Sequence, residues 1–177
     1  MTFVQHHDLP LGGILLAADE IGLTGMWFDG QKHFARGLPA EHIEQDTPVL
    51  AEARRWLDVY FTGRAPDFMP PLHPIGSAFR QAVWDILLRI PYGQTTTYGA
   101  IARQLAETMG LPRMSAQAVG GAIGHNEISI LIPCHRVVGT NGSLTGYAGG
   151  IDKKVRLLTL ERADMSGLFV PKRGTAL

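Results

Sequence analysis

The run Thr97-Tyr98-Gly99-Ala100-Ile101-Ala102-Arg103-Gln104-Leu105-Ala106-Glu107-Thr108-Met109-Gly110-Leu111-Pro112-Arg113-Met114-Ser115-Ala116-Gln117-Ala118-Val119-Gly120-Gly121-Ala122-Ile123 decides the architecture of the second half of the chain. Thr97 is a suitable N-cap, and a helix is expected from residue 98 to about 109 with Ile101 and Leu105 facing inward. Gly110-Leu111-Pro112 breaks it. Ser115 can cap a second helix running to about residue 123. Two short helices across a short turn have the layout of a helix-turn-helix, although any helical hairpin shares that outline. The second helix carries Gly120 and Gly121 in its interior. A helical glycine costs about 1 kcal/mol relative to alanine. Small residues there let the backbone come close to something, either a neighbouring helix or a DNA groove.

Upstream, Ser77 can cap a helix to about residue 88, with Phe79, Val83, Trp84 and Leu87 turned inward and Pro91-Tyr92-Gly93 ending it. Residues 64–74 hold four prolines in eleven positions, which excludes a continuing helix. This stretch reads as a linker between an N-terminal part, residues 1–75, and a C-terminal part, residues 76–177. In the N-terminal part, residues 13–18 and 23–28 look like two strands around the turn Asp19-Glu20-Ile21-Gly22. A helix follows from residue 48 to about 61, with Thr47 as N-cap and Pro48 at the first helical position. Leu50, Ala53, Leu57 and Phe61 share one of its faces. The expected fold class is α+β, a small mixed unit followed by a mainly helical domain.

The chain has 177 residues, 45% apolar and 18% charged, enough for one or two small globular domains with a real core. No apolar run approaches the ~20 residues of a membrane span, and the N-terminus lacks the layout of a signal peptide. A single cysteine cannot form an internal disulfide and fits a reducing compartment, most simply the cytoplasm. The formal net charge is zero, but the halves differ. Residues 1–78 carry five Lys/Arg against ten Asp/Glu, and residues 79–177 carry eleven against six. Only the second half has the balance to meet a polyanion.

That single cysteine, Cys134, ends the apolar run Ile128-Ser129-Ile130-Leu131-Ile132-Pro133, which suits a buried strand or extended segment. A lone cysteine in such a place is more often an inert core residue. Three features favour a nucleophile instead. Pro133 fixes the chain just before the sulfur, and His135 and Arg136 follow directly, bringing a base and positive charge that favour the thiolate. The seven histidines and one cysteine show no zinc spacing, so no metal is expected.

Pro133-Cys134-His135-Arg136-Val137 resembles the active-site signature of the O6-alkylguanine-DNA alkyltransferases, the methylated-DNA–protein-cysteine S-methyltransferases. Other elements agree in order. Pro91-Tyr92-Gly93 with Thr97-Tyr98 is similar to the start of that family's helix-turn-helix, and Ala118-Val119-Gly120 to its recognition helix. Asn126 lies eight residues before the cysteine and Glu161 lies 27 after it, as in the family. Gly146-Tyr147-Ala148-Gly149-Gly150 resembles its pocket loop. The detailed likeness covers roughly residues 77–163; the N-terminal part agrees only in general character, as a small ribonuclease H-like α/β unit.

The resemblance implies single-turnover DNA repair without a cofactor. The chain would bind double-stranded DNA through the minor groove, rotate O6-alkylguanine out of the stack and move the alkyl group irreversibly to Cys134, with O4-alkylthymine as a further substrate. His135 would take the thiol proton through a water, and Glu161 would orient the imidazole. Asn126 would brace the cysteine segment. Tyr98 would donate a hydrogen bond to the guanine ring, the Ala148 amide would face O6, and the Cys134 and Val137 carbonyls would accept from the exocyclic amine. Tyr147 and Gly149 complete the expected pocket. Thr97, Arg113, Ala116, Gln117, Ala118, Gly120 and Arg136 are the expected DNA-contacting set. One departure stands out: much of the family has an arginine where this chain has Gln117, the residue expected to fill the gap left by the flipped base. The zinc-binding cysteines of some relatives are also missing. No membrane partner is expected, and a monomer suffices for repair at one site. The alternative is a DNA-binding damage sensor or regulator without repair activity.

Overall fold

The structure is a computed structural model and describes residues 1–172. It divides into two compact units, residues 1–75 with 127–129, and residues 76–126 with 130–177.

Unit 1 is a four-stranded sheet with one helix. The strands are β1 (Phe3–Leu9), β2 (Gly12–Ala18), β3 (Leu23–Phe28) and β4 (Ile43–Glu44), in the order β3-β2-β1-β4. β1 and β2 form an antiparallel hairpin from Phe3↔Ala18 to Leu9↔Gly12, and β4 joins β1 in parallel. The helix α1 (Pro48–Tyr60) starts at Thr47, whose side chain accepts from the Leu50 amide, and it buries Leu50, Ala53, Trp56, Leu57 and Tyr60. Strand β1 was not foreseen, because its residues are largely polar. His6 and His7 instead pair with Asp29 and Asp58, at 2.7 and 2.8 Å. The proline-rich stretch is not a free tether. The Leu23 amide donates to the Pro71 carbonyl and the His73 amide to the Leu23 carbonyl, so its end runs along β3.

Unit 2 contains α2 (Ala78–Leu88), α3 (Tyr98–Met109), α4 (Ala116–Gly124) and α5 (Ile151–Leu160). It also has a short parallel pair of β5 (Thr96–Thr97) with β6 (Val137–Val138). Ser77, Thr97 and Ser115 each cap a helix through the side-chain oxygen. Gly110 closes α3 in the left-handed conformation, φ 67°, which glycine adopts without steric cost. Val83, Trp84, Leu87, Ile101, Leu105, Val119 and Ile123 are buried, while Phe79 is only half-buried. The Trp84 indole donates to the Ala122 carbonyl across 2.9 Å, pinning α4 to α2. The stretch before Cys134 is buried as expected but is a set of turns, and Ile130 takes a left-handed φ of 70°. A β-branched residue there is strained.

The two glycines of α4 differ. Gly120 is buried on the core side, while Gly121 is exposed, and a Cβ added there would meet nothing within 4 Å. Gly121→Ala is therefore expected to stabilise the free protein by about 0.5–1 kcal/mol, read as a higher urea midpoint at unchanged slope. A lower midpoint would mean that this glycine is needed for packing.

Candidate active site

Cys134 is placed by local geometry. Pro133 has φ −81° and ψ 65°, and the Cys134 amide donates to the Ile132 carbonyl at 2.8 Å. This is an inverse γ-turn, which the fixed proline φ favours. A single 3-10 turn, Cys134–Arg136, follows and hands the chain to β6. The Asn126 side chain donates to the Ile132 carbonyl at 3.0 Å, so it braces the residue two before the sulfur.

The carboxylate of Glu161, at the end of α5, collects four donors. His135 Nε2 lies 2.6 Å from Oε2. Arg136 Nε donates to Oε1 at 2.8 Å and Nη2 to Oε2 at 3.1 Å. The Gly93 amide donates to Oε1 at 3.0 Å. Gly93 has φ 79°, so only a residue tolerant of the left-handed region presents its amide this way. Burial on its own would raise the pKa of Glu161, but the hydrogen bonds of His135 and Arg136, with the Arg136 charge, outweigh it and hold the carboxyl far below its usual range. A carboxylate only accepts, so His135 Nε2 carries the proton and Nδ1 carries the lone pair. Burial pushes His135 down, against the pull of Glu161, so the ring is neutral. Nδ1 is buried and has no protein hydrogen-bond partner. A neutral imidazole with its basic nitrogen unoccupied is a general base in waiting.

Burial pushes the Cys134 thiol up, so the resting group is the thiol. The opposing influences are a hydrogen bond from the Asn126 side chain, the charge of Lys154, and the amides of Cys134 and His135. Only 8% of Cys134 is exposed. Tyr98 is held protonated by burial first and by the Cys134 charge second, and its hydroxyl reaches the Thr145 carbonyl at 3.5 Å. Tyr147 is buried, with its ring edge-to-face with His135 at 6.4 Å between centroids. Ala148 and Gly149 are half-buried in the turn closed by the Gly150 amide on the Tyr147 carbonyl. Val137 is buried, and its carbonyl accepts from Lys154 Nζ at 2.6 Å. A carbonyl has two lone pairs, so this leaves one for a ligand. The structure thus gathers Cys134, His135, Glu161, Asn126, Tyr98, Val137 and Tyr147 in unit 2.

The expected DNA-contacting residues separate into two groups. Arg113, Ala116, Gln117 and Ala118 are exposed around the start of α4. Thr97 is half-buried, and its hydroxyl caps α3 by accepting from the Ala100 amide. Arg136 and Gly120 do not belong on such a surface. Arg136 is 8% exposed, and its guanidinium is taken by Glu161 and by the Ile90 carbonyl at 2.8 Å. A buried carboxylate demands a partner cation, and Arg136 is it. Gly120 lies on the buried side of α4. The residues that sequence reasoning missed are Gly93 and Lys154. The cation acting on the sulfur is Lys154, not Arg136. Among the described residues no group of three His, Cys, Asp or Glu could hold a metal ion, and no helix is long and apolar enough to cross a membrane.

The family described as "6-O-methylguanine DNA methyltransferase, DNA binding domain" matches residues 78–163, and its ribonuclease-like domain matches residues 4–74. A methylated-DNA–protein-cysteine methyltransferase of Methanosarcina acetivorans is 46% identical over 155 residues, covering 87% of this chain and 94% of that one. Its counterpart in Haemophilus influenzae is 37% identical over 161 residues, covering 90% and 86%. Among solved structures, Mycobacterium tuberculosis OGT in complex with DNA has a TM-score of 0.76 at 40% identity, covering 90% of this chain and 92% of that one. An O6-methylguanine DNA methyltransferase of Methanococcus jannaschii has a TM-score of 0.59 at 28% identity, covering 96% and 99%. Both domains are matched in order, over residues 4–74 and 78–163, and the chain belongs to the 6-O-methylguanine DNA methyltransferase family.

Proposed function

We propose that this protein repairs DNA by moving the alkyl group of O6-alkylguanine onto its own Cys134, once per chain and without a cofactor. The observation that carries the reading is the buried His135, next in the chain to Cys134, whose Nε2 is committed to Glu161 and whose Nδ1 has no hydrogen-bond partner. The thiol proton passes through a bridging water to Nδ1, and the sulfur attacks the alkyl carbon in line with the C–O6 bond. A carbon–sulfur bond forms as the carbon–oxygen bond breaks, and the guanine keeps the electron pair and takes a proton. Tyr98, held as a neutral phenol, is a hydrogen-bond donor to the ring of the departing base. The Val137 and Cys134 carbonyls accept from its exocyclic amine, with the Ala148 amide at O6. The thioether left on Cys134 has no facile leaving route, so each chain acts once.

The target base has to leave the duplex, because a side-chain sulfur cannot align with the C–O6 bond inside the stack. The exposed start of α4 supports entry into the minor groove, with Gln117 filling the place of the flipped guanine and Arg113 one turn away. Double-stranded DNA is then the partner, a monomer is sufficient, and the cytoplasm is the fitting compartment.

Intact-mass measurement after incubation with a duplex containing O6-methylguanine tests the reading. One methyl is expected on Cys134, with the reaction stopping at one event per chain. Normal duplex binding with no mass change would overturn repair in favour of a damage sensor. Glutamine brings no charge to the flipped-base gap, so Gln117→Arg is expected to speed single-turnover repair of duplex DNA by roughly tenfold or less and to make it more salt-dependent, because an added cation against the duplex releases a further counterion. No change in either would show that the side chain at 117 does not limit extrusion.

A further inference from the structure

The chain does not leave the site after Glu161. The Ser166 amide donates to the Asp164 carboxylate at 3.0 Å, and the Leu168 amide donates to the Met165 carbonyl at 3.1 Å. These turns bring residues 167–169 alongside residues 142–144. The Phe169 amide donates to the Gly142 carbonyl at 3.0 Å, and the Leu144 amide donates to the Phe169 carbonyl at 2.9 Å, a parallel bridge centred on Ser143. The approach is close. Gly142 has φ 91°, and a Cβ added there would collide with the Gly167 carbonyl oxygen. Below the bridge, Met165 and Leu168 pack against the buried cluster of Val138, Leu144, Leu158 and Ala163. Val138 ends the strand that follows the cysteine turn, and Leu158 belongs to α5. Leu144 directly precedes Thr145, whose carbonyl Tyr98 reaches. The Phe169 side chain is 45% exposed, so that residue is held by its backbone. Residues 145–150, which carry Tyr147 and Ala148, form neither strand nor helix. Such a loop is placed by whatever fixes its two ends. One end is the start of α5, and the other is Leu144.

We propose that residues 165–169 are a positioning strap for alkyl transfer, fixing Leu144 so that the 145–150 loop presents Tyr147 and the Ala148 amide to the flipped base. Leu168 is the apolar anchor of the strap, and the Phe169 backbone supplies its two ladder bonds. The strap begins four residues after Glu161, so the helix end that orients His135 and the loop that receives the base share one support. The sulfur is held separately, by the Pro133 turn and the Asn126 brace. Loosening the strap therefore misplaces the base and leaves the thiol's own reactivity intact. The proposal rests on Cys134 being the alkyl acceptor.

Leu168→Ala removes the anchor, and Phe169→Pro removes the donor to Gly142. Leu168→Met keeps an apolar anchor, and Phe169→Ala removes only an exposed ring. Each full-length variant is compared with the wild-type chain by four readouts. These are the methyl-transfer rate at saturating O6-methylguanine duplex, the duplex Kd, the rate of Cys134 alkylation by iodoacetamide without DNA, and the thermal melting transition. Leu168→Ala and Phe169→Pro are expected to melt cooperatively, bind duplex with near wild-type Kd and react normally with iodoacetamide, yet transfer methyl at least about fivefold more slowly. Leu168→Met and Phe169→Ala should transfer at the wild-type rate. Wild-type transfer in both Leu168→Ala and Phe169→Pro would overturn the proposal. So would an iodoacetamide rate that falls in step with methyl transfer, which would place the effect on the cysteine. A weakened Kd with a normal rate at saturation would also overturn it, making the strap a DNA contact. Loss of the melting transition in both variants would make the strap a prop of the fold and overturn it too. A wild-type chain that itself gains no methyl would sink the repair reading, and this proposal with it.

Discussion

A carboxylate without solvent must be satisfied by the protein, and in this chain Glu161 is satisfied by four donors from three places: the 91–93 loop, His135 and Arg136. Each charge-assisted bond contributes about 1.5–3 kcal/mol, and removing one partner of such a buried cluster costs about 3–5 kcal/mol. That constraint organises the site. It fixes the end of α5 against the cysteine turn, and it calls for a left-handed glycine at 93. It also commits Arg136 to neutralising the acid and selects the imidazole tautomer that leaves Nδ1 basic.

The charges around the cysteine divide between two jobs. Arg136 neutralises Glu161 and is thereby withdrawn from the sulfur and from any surface. Lys154 sits on the other side, bridging Val137 and Thr145. Near neutral pH the resting site therefore holds a thiol, a neutral imidazole, a neutral phenol, one ion pair and one buried ammonium. Burial disfavours the thiolate in that resting state. The strained backbone at Ile130 lies four residues upstream of the sulfur, consistent with a segment whose conformation serves placement rather than stability.

The helical part of the fold was legible from sequence because its signals are local. Ser77, Thr97 and Ser115 cap where side-chain oxygens precede apolar periodicity, and Gly110 ends α3 where a left-handed residue is required. β1 was hidden because its outward face is histidine and aspartate chemistry, which dilutes the alternation. α5 was hidden for a related reason, since a lysine occupies one of its core positions. The catalytic set around Cys134 was legible only through spacing matched to a known family, because nothing local shows that residues 134, 135 and 161 meet. Arg136 was misplaced at the DNA surface for the same reason: a basic residue reads as exposed until its buried partner, 25 positions away, is seen. Gly120 was misplaced because a glycine pair does not reveal which member faces the core.

The account stands on the state of His135. Nitrogen-resolved NMR of the imidazole, on protein labelled with 15N-histidine and titrated from alkaline to mildly acidic pH, reads it directly. The account predicts a neutral ring with the proton on Nε2, still neutral as the pH falls through about 6.5, the ordinary histidine value, because burial holds His135 below it. A proton on Nδ1, or an imidazolium already formed at neutral pH, would contradict it.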